Sequence, residues 1–198
     1  MVATTPVAHI LEAAELRPLS ADEFMQMIAA GILDEDERVE LIEGVMIKMS
    51  PINPPHGDTV EDLGWTLARA LPESARIRIQ SPIRVSGFSL PEPDIAIVRA
   101  NRGPRGKRHP EPSEIFLVVE VSDSTLRFDR TVKLPLYARA GIPEVWIVDL
   151  VHLQLLVFRA SHGDGYTERL VYGPNDMVAP LAFPEIRIEV ASLLPEQG

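Results

Sequence analysis

The sequence predicts an α/β fold built on a mixed sheet with helices on both faces. Three observations lead there. Ile115–Val119 and Val145–Val148 are solid apolar runs, as expected of strands covered on both sides. A helical stretch, Asp129–Ala140, lies between them, and strand, helix and strand in quick succession imply a right-handed crossover with parallel pairing. The tail then alternates through Leu153–Phe158, Tyr166–Tyr172 and Ile186–Val190, with Gly163, Gly165, Gly173 and Pro174 at its turns. That pattern predicts C-terminal antiparallel strands extending the sheet.

The earlier elements follow in order. Ser20-Ala21-Asp22-Glu23 is a capping-box pattern, so a helix runs to about Ala30 and ends at Gly31. Asp34–Glu37 is a solvated acidic connection. Val39, Leu41, Val45, Ile47 and Met49 alternate as strands do, with Glu43-Gly44 as a hairpin turn. The prolines of Ser50–Pro55 predict a rigid loop. A helix from His56 to Leu71 presents Val60, Leu63, Leu67 and Leu71 on one face and stops at Pro72. Arg76–Ser89 reads as one or two strands, with Ile77, Ile79, Ile83 and Val85 facing inward and Arg76, Arg78 and Arg84 outward. Pro93-Asp94 opens the strand Ile95–Val98.

With 198 residues, 45% of them apolar, the chain supports one domain with a real core. Residues 1–18 read as a loosely ordered lead-in and 19–198 as the domain. There are no cysteines, which excludes disulfides, thiolate nucleophiles and cysteine zinc sites and fits a cytoplasmic location. No secretory signal is visible, and the longest apolar run is too short for a bilayer, so no membrane association is expected.

The formal charge of −10 argues against indiscriminate nucleic-acid binding. It is unevenly spread. Residues 1–50 carry ten acids against three bases, whereas Arg99, Arg102, Arg105, Lys107 and Arg108 crowd one short stretch. Two readings of that stretch stand side by side, a solvated loop and a grip on a nucleic-acid backbone.

The chemistry centres on two acids beside apolar runs. Asp94 opens one strand and Glu120 closes another, with Lys133 at the start of the next helix. Hydrolysis of a phosphodiester needs charge neutralisation and an activated water; a divalent ion supplies both and takes hard carboxylate oxygens. Asp94 and Glu120 fit as metal ligands, Lys133 as support for the attacking water, and Glu40 as a third acid from the hairpin. Spacing alone leaves a second reading open, a structural ion-pair cluster, because such networks also bury acids.

These residues sit in an ordered series: Glu40-Leu41-Ile42-Glu43-Gly44, then Met49-Ser50-Pro51 followed by His56, then Pro93-Asp94, then Val118-Val119-Glu120-Val121-Ser122. Asp129-Arg130, Lys133-Leu134, Tyr137–Gly141 and Trp146–Asp149 complete it. The series, spanning roughly residues 38–150, resembles the Uma-two family within the PD-(D/E)XK nuclease superfamily. The resemblance implies a restriction-endonuclease-like core, Mg²⁺ or Mn²⁺ as cofactor, and endonucleolytic hydrolysis of DNA. It matches Asp94 to the acid of the PD motif, Glu120 to that of (D/E)XK, and Glu40 to an upstream acid. Ser122 departs from the pattern, standing where lysine is usual, and the resemblance points to Lys133 as a migrated lysine. His56 and Tyr137 also match family positions. His56 has two readings, a nucleic-acid or water contact and a helix-terminal residue bonded to the proline-rich loop. Asp129 and Arg130 read as helix N-terminal and ion-pair residues. One alternative of function remains, a non-cleaving nucleic-acid-binding or protein-interaction module on the same fold; a nuclease that cuts both strands of a duplex implies a homodimer.

Overall fold

Helix α1 (Ala21–Ala29) begins at an N-cap, Ser20, whose capping box with Glu23 is closed in both directions. The hairpin β1 (Val39–Ile42) and β2 (Val45–Lys48) follows. Then come α2 (Pro54–Ala70), β3 (Ala75–Ile79), β4 (Ile95–Arg99) and β5 (Ile115–Ser122). Helix α3 runs without a break through an α-helical piece Leu126–Phe128, a π-helical turn Asp129–Lys133 and an α-helical piece Leu134–Arg139. Strands β6 (Glu144–Asp149), β7 (Gln154–His162), β8 (Gly165–Tyr172), β9 (Met177–Val178) and β10 (Ile188–Glu189) complete the chain. The structure, a computed structural model, describes residues 15–34, 37–101 and 108–195. Residues 1–14 of the expected lead-in, and Arg102, Arg105 and Lys107 of the basic stretch, lie outside them. Among the described residues no helix is long and apolar enough to cross a membrane.

Six strands form one sheet in the order β3-β4-β5-β6-β7-β8. Only β5 and β6 are parallel, joined by α3 as a crossover; every other pair is antiparallel. The mixed sheet and its antiparallel extension are as the sequence predicts. On one face, Val119 and Val121 of β5 and Trp146 and Val148 of β6 pack with Val60, Leu63 and Leu67 of α2 and the C-terminal Phe183, Ile186 and Ile188. On the other, Val118, Val145 and Ile147 pack with Leu136, Tyr137 and Ala138 of α3. Strand alternation fixes what this means for the acid: Glu120 lies between Val119 and Val121, so it faces α3.

Four expectations are corrected. Pro54 and Pro55 are not loop but the first turn of α2, where a missing N–H costs nothing; Asn53 is the cap and accepts from the His56 amide at 3.0 Å. Of Arg76–Ser89, only Ala75–Ile79 is a strand of the sheet, and Ile79 is exposed. Ile83 and Val85 are buried as expected, but from an irregular segment laid over the α3 face. Helix α3 starts at Leu126, ahead of Asp129. Lastly, β10 pairs with β9 in a small separate sheet instead of extending the large one.

The turn between β1 and β2 has both central residues in the left-handed region, Glu43 at φ 49° and Gly44 at φ 82°. A Cβ on Gly44 would stand 2.4 Å from Pro18 Cβ and 2.8 Å from Pro18 Cα. Gly87 has open space around it. Gly44→Ala therefore lowers stability by about 2 kcal/mol or more, about 4–8 °C in Tm by calorimetry. Gly87→Ala stays within about 0.5 kcal/mol.

Candidate active site

The β4–β5 register brings the two acids together. Ile95 pairs with Val119, so one step further along the antiparallel ladder Asp94 stands opposite Glu120 on the α3 side. The amide of Val121 donates to Asp94 Oδ2 at 2.8 Å, which locks the carboxylate to the end of β5. His56, in the first turn of α2, meets Asp94 Oδ1 through Nε2 at 2.9 Å, and the Gln80 amide donates to the same oxygen at 3.3 Å.

Glu120 is 3% exposed and takes two partners from α3. The Tyr137 hydroxyl donates to Oε1 at 2.6 Å, and Lys133 Nζ donates to Oε2 at 3.4 Å. Lys133 also reaches Glu40 Oε2 at 3.3 Å, and the Glu92 amide donates to that same oxygen at 3.2 Å. One buried ammonium thus bridges the hairpin, the central strand and the crossover helix. Ser122, at the usual lysine position, donates instead to Asp129 Oδ2 at 2.7 Å, as does the Thr125 hydroxyl.

The local chain explains how α3 delivers these groups. Pro135 has no N–H for the carbonyl of Thr131, and its ring crowds that carbonyl in a regular α-helix. The helix widens instead, and the Leu134 amide bonds to the Asp129 carbonyl five residues back. A turn closed over five residues reduces the angular drift between positions four apart. Asp129, Lys133 and Tyr137 thereby share one face.

Asp94, Glu120, Glu40, His56, Asp129 and Lys133 line a cavity of about 310 Å³ that also includes Arg38, Lys48, Glu92, Asp123 and Thr125. Burial raises the Glu120 carboxyl well above its ordinary value, with Asp129 and Asp94 adding to it and Lys133 and Tyr137 opposing. Burial likewise raises Asp129 and Glu92. Burial alone would lower the Lys133 ammonium, but Glu120, Glu40, Asp129 and Asp94 together raise it, so it stays charged. One ammonium cannot compensate all these acids. The cavity is short of positive charge, and Asp94 and Glu120 offer it hard oxygens of the kind a divalent ion takes. Among the described residues no group of three or more His, Asp or Glu side chains is placed to hold a metal ion.

Asp94, Glu120, Lys133, Glu40 and His56 are all brought to this cavity. Arg99 and Arg108 are not. Strand β4 carries Arg99 away from Asp94 to its opposite end, where the guanidinium stacks 4.9 Å from the Phe116 ring. Arg108 bonds Glu114 at 2.6 Å, next to the start of β5. Asp129 lines the cavity, and the fully buried Tyr137 bonds Glu120 without lining it, whereas the sequence places Asp129 among helix-end residues and gives Tyr137 no role. Arg38, Gln80 and Asn53 escaped the sequence reading altogether. An i, i+4, i+8 spacing through Asp129, Lys133 and Tyr137 is the signal that could have found two of these.

The His56–Asp94 pair sets a pH window. The hydrogen bond to Asp94 raises His56 above 6.5, against burial. Burial alone would raise Asp94, but the His56 hydrogen bond and charge and the Val121 amide outweigh it and hold it below 3.8. His56 thus adds stability in full below pH 6.5, lost as pH rises through its raised value; Asp94 adds stability above pH 3.8, lost as pH falls through its lowered one. In urea unfolding, the stability advantage of the wild type over His56→Gln shrinks as pH goes from about 6 to about 9. A pH-independent advantage would contradict a charged pair.

A family model, Uma2, described as "Putative restriction endonuclease", matches residues 21–191. The crystal structure of a protein from Anabaena variabilis, described as a "putative nuclease", superposes with a TM-score of 0.69 at 19% identity, over 89% of this chain and 97% of that one. At such identity the likeness concerns the fold, and it agrees with a restriction-endonuclease-like core of mixed sheet and flanking helices. No match is found among curated proteins. Since the family match covers the hairpin, both acidic strands, the crossover helix and the C-terminal strands in one span, the chain belongs to the Uma2 family.

Proposed function

We propose that this protein is a divalent-metal-dependent endonuclease that hydrolyses DNA phosphodiester bonds. The observation carrying this is the convergence of Asp94, Glu120 and Lys133 in one cavity, on the core that the family shares. Asp94 and Glu120 would hold Mg²⁺ or Mn²⁺. The residues present fit such an ion, because Asp94 and Glu120 offer hard oxygens to one cavity, where burial raises the carboxyls of Glu120, Asp129 and Glu92. When bound, the ion supplies Lewis-acid activation of the phosphate and a more acidic water.

The chain's own groups divide the rest of the work. Val121 and His56 fix both oxygens of Asp94, and the Tyr137 hydroxyl fixes one oxygen of Glu120. Lys133, held charged, stabilises negative charge developing at the phosphate and orients the attacking water. Its role is that of a cation, because the surrounding acids keep its proton in place. Glu40 keeps the ammonium aimed into the cavity from the hairpin side. A symmetric homodimer would place two such sites on the two strands of a duplex. The charge of −10 favours a second reading, a non-cleaving interaction module. A calorimetric titration separates the two, since the nuclease binds Mn²⁺ in this cavity and the module does not.

The assay is Mn²⁺-dependent nicking of supercoiled plasmid. Asp94→Asn and Glu120→Gln each lower cleavage by about 100-fold or more and weaken Mn²⁺ binding. Chelation of the metal abolishes wild-type cleavage. Full activity in either variant overturns the assignment. Lys133→Met also lowers cleavage about 100-fold, and it raises the neutral fraction of the acids it leaves behind.

A further inference from the structure

The cavity has a charge problem that its known parts do not solve. Six acids line it, Glu40, Glu92, Asp94, Glu120, Asp123 and Asp129. Its cations are Arg38, Lys48, His56 and Lys133. Lys133 is 6% exposed and engaged by Glu40 and Glu120; His56 is engaged by Asp94. A polyanion entering this bowl needs a cation at the rim that is still available. The basic stretch cannot provide it through Arg99 or Arg108, which stand at the far end of the sheet.

Arg38 has the right position. It immediately precedes β1, and the Met49 amide bonds to its carbonyl, so the hairpin ladder continues through it. Strand alternation puts it on the same face as Glu40, the face that looks into the cavity. Lys48 also borders the cavity, but it pairs with Val39, so its exposed side chain leaves from the other strand face. The Arg38 guanidinium has five donors, and among the described residues its hydrogen bond is one to the Ser50 carbonyl at 3.3 Å. It is half-buried, and its charge acts on both His56 and Glu92 across the cavity. Ser50 begins the proline-rich loop that leads to Asn53 and His56, so the guanidinium is braced beside the cavity, and among the described residues most of its fork is open.

We infer that Arg38 is the backbone grip of this site, a binding residue whose guanidinium takes a DNA phosphate next to the scissile bond. The inference rests on the nuclease reading above. A planar fork of donors matches two phosphate oxygens at once, which an ammonium does not.

The test is binding of a fluorescein-labelled DNA duplex by anisotropy, with Ca²⁺ in place of Mn²⁺, over a series of salt concentrations, together with steady-state plasmid cleavage in Mn²⁺. Arg38→Ala weakens binding by roughly tenfold and lowers the slope of log affinity against log salt by about one. It raises KM far more than it lowers kcat. Arg38→Lys restores the slope while leaving affinity below wild type. Arg76→Ala, an exposed arginine on β3 outside the cavity, changes neither. A merely structural role for Arg38 would move thermal stability but not the salt slope. Wild-type slope and KM in Arg38→Ala overturn the inference while leaving the nuclease reading intact. A wild type that neither retains nor cuts DNA overturns both.

Discussion

The molecule is organised around one buried ammonium. Lys133 Nζ lies between Glu40 of the hairpin and Glu120 of the central strand, at 3.3 and 3.4 Å. Taking these charges out of water costs several kcal/mol per ion, and the pairing repays it only with good geometry and further hydrogen bonds. Those bonds are present: the Tyr137 hydroxyl on Glu120 and the Glu92 amide on Glu40. The cluster is therefore weak grounds for a claim of stability and better grounds for a claim of register. It accepts only one placement of the hairpin, of β5 and of α3, since a one-residue slip of β5 would turn Glu120 into the α2 core.

Register and helix geometry are coupled through the crossover. The parallel β5–β6 pair needs a helix to return the chain, and α3 is that helix. A regular α-helix containing Pro135 would kink; the five-residue turn absorbs the proline and lines up Asp129, Lys133 and Tyr137. This alignment accounts for Ser122. A lysine two residues after Glu120 would approach the cavity from the same strand face. Here the amine comes from α3, and the space beside the strand goes to a short hydroxyl that holds Asp129 at 2.7 Å. The exchange moves the cation from strand to helix and adds a fixed carboxylate to the cavity.

Much of this was legible in the sequence, and what was not has physical reasons. The solid apolar runs give β5 and β6 because burial on both faces leaves no polar position to confuse the period. Asp94 and Glu120 were visible because each stands at the end of an apolar run. The hairpin and α1 were visible through their turn and cap chemistry. The irregular stretch around Ile83 and Val85 reads as strand because alternation reports burial on one side, and a coil packed against a sheet alternates too. The basic stretch drew attention by charge density, which says nothing about which end of a strand it leaves from. Direction along β4 decides that, and it puts Arg99 about five residues, roughly 16 Å, from Asp94. Asp129 and Tyr137 were hidden because their alignment with Lys133 depends on the π turn, which no propensity announces.

On the proposed nuclease reading, the same geometry constrains how a strongly acidic protein could engage DNA. With a net charge of −10, long-range attraction cannot assemble the complex, and each contact must be local. On that reading the buried Lys133, committed to two carboxylates, serves the reacting centre and adds little to capture. Capture falls to groups at the rim that hold their charge in partial contact with water, where desolvation is small and a phosphate can displace a weak carbonyl contact. A weakly held guanidinium one residue ahead of β1 meets that requirement, and it is linked through two residues of strand to Glu40. The hairpin then has one physical task at each of two depths: Glu40 fixes the ammonium inside, and Arg38 presents a fork outside. The short two-stranded sheet that carries both residues, outside the main six strands, is held by the Gly44 turn against Pro18 and by the Leu41–Leu90 bridge.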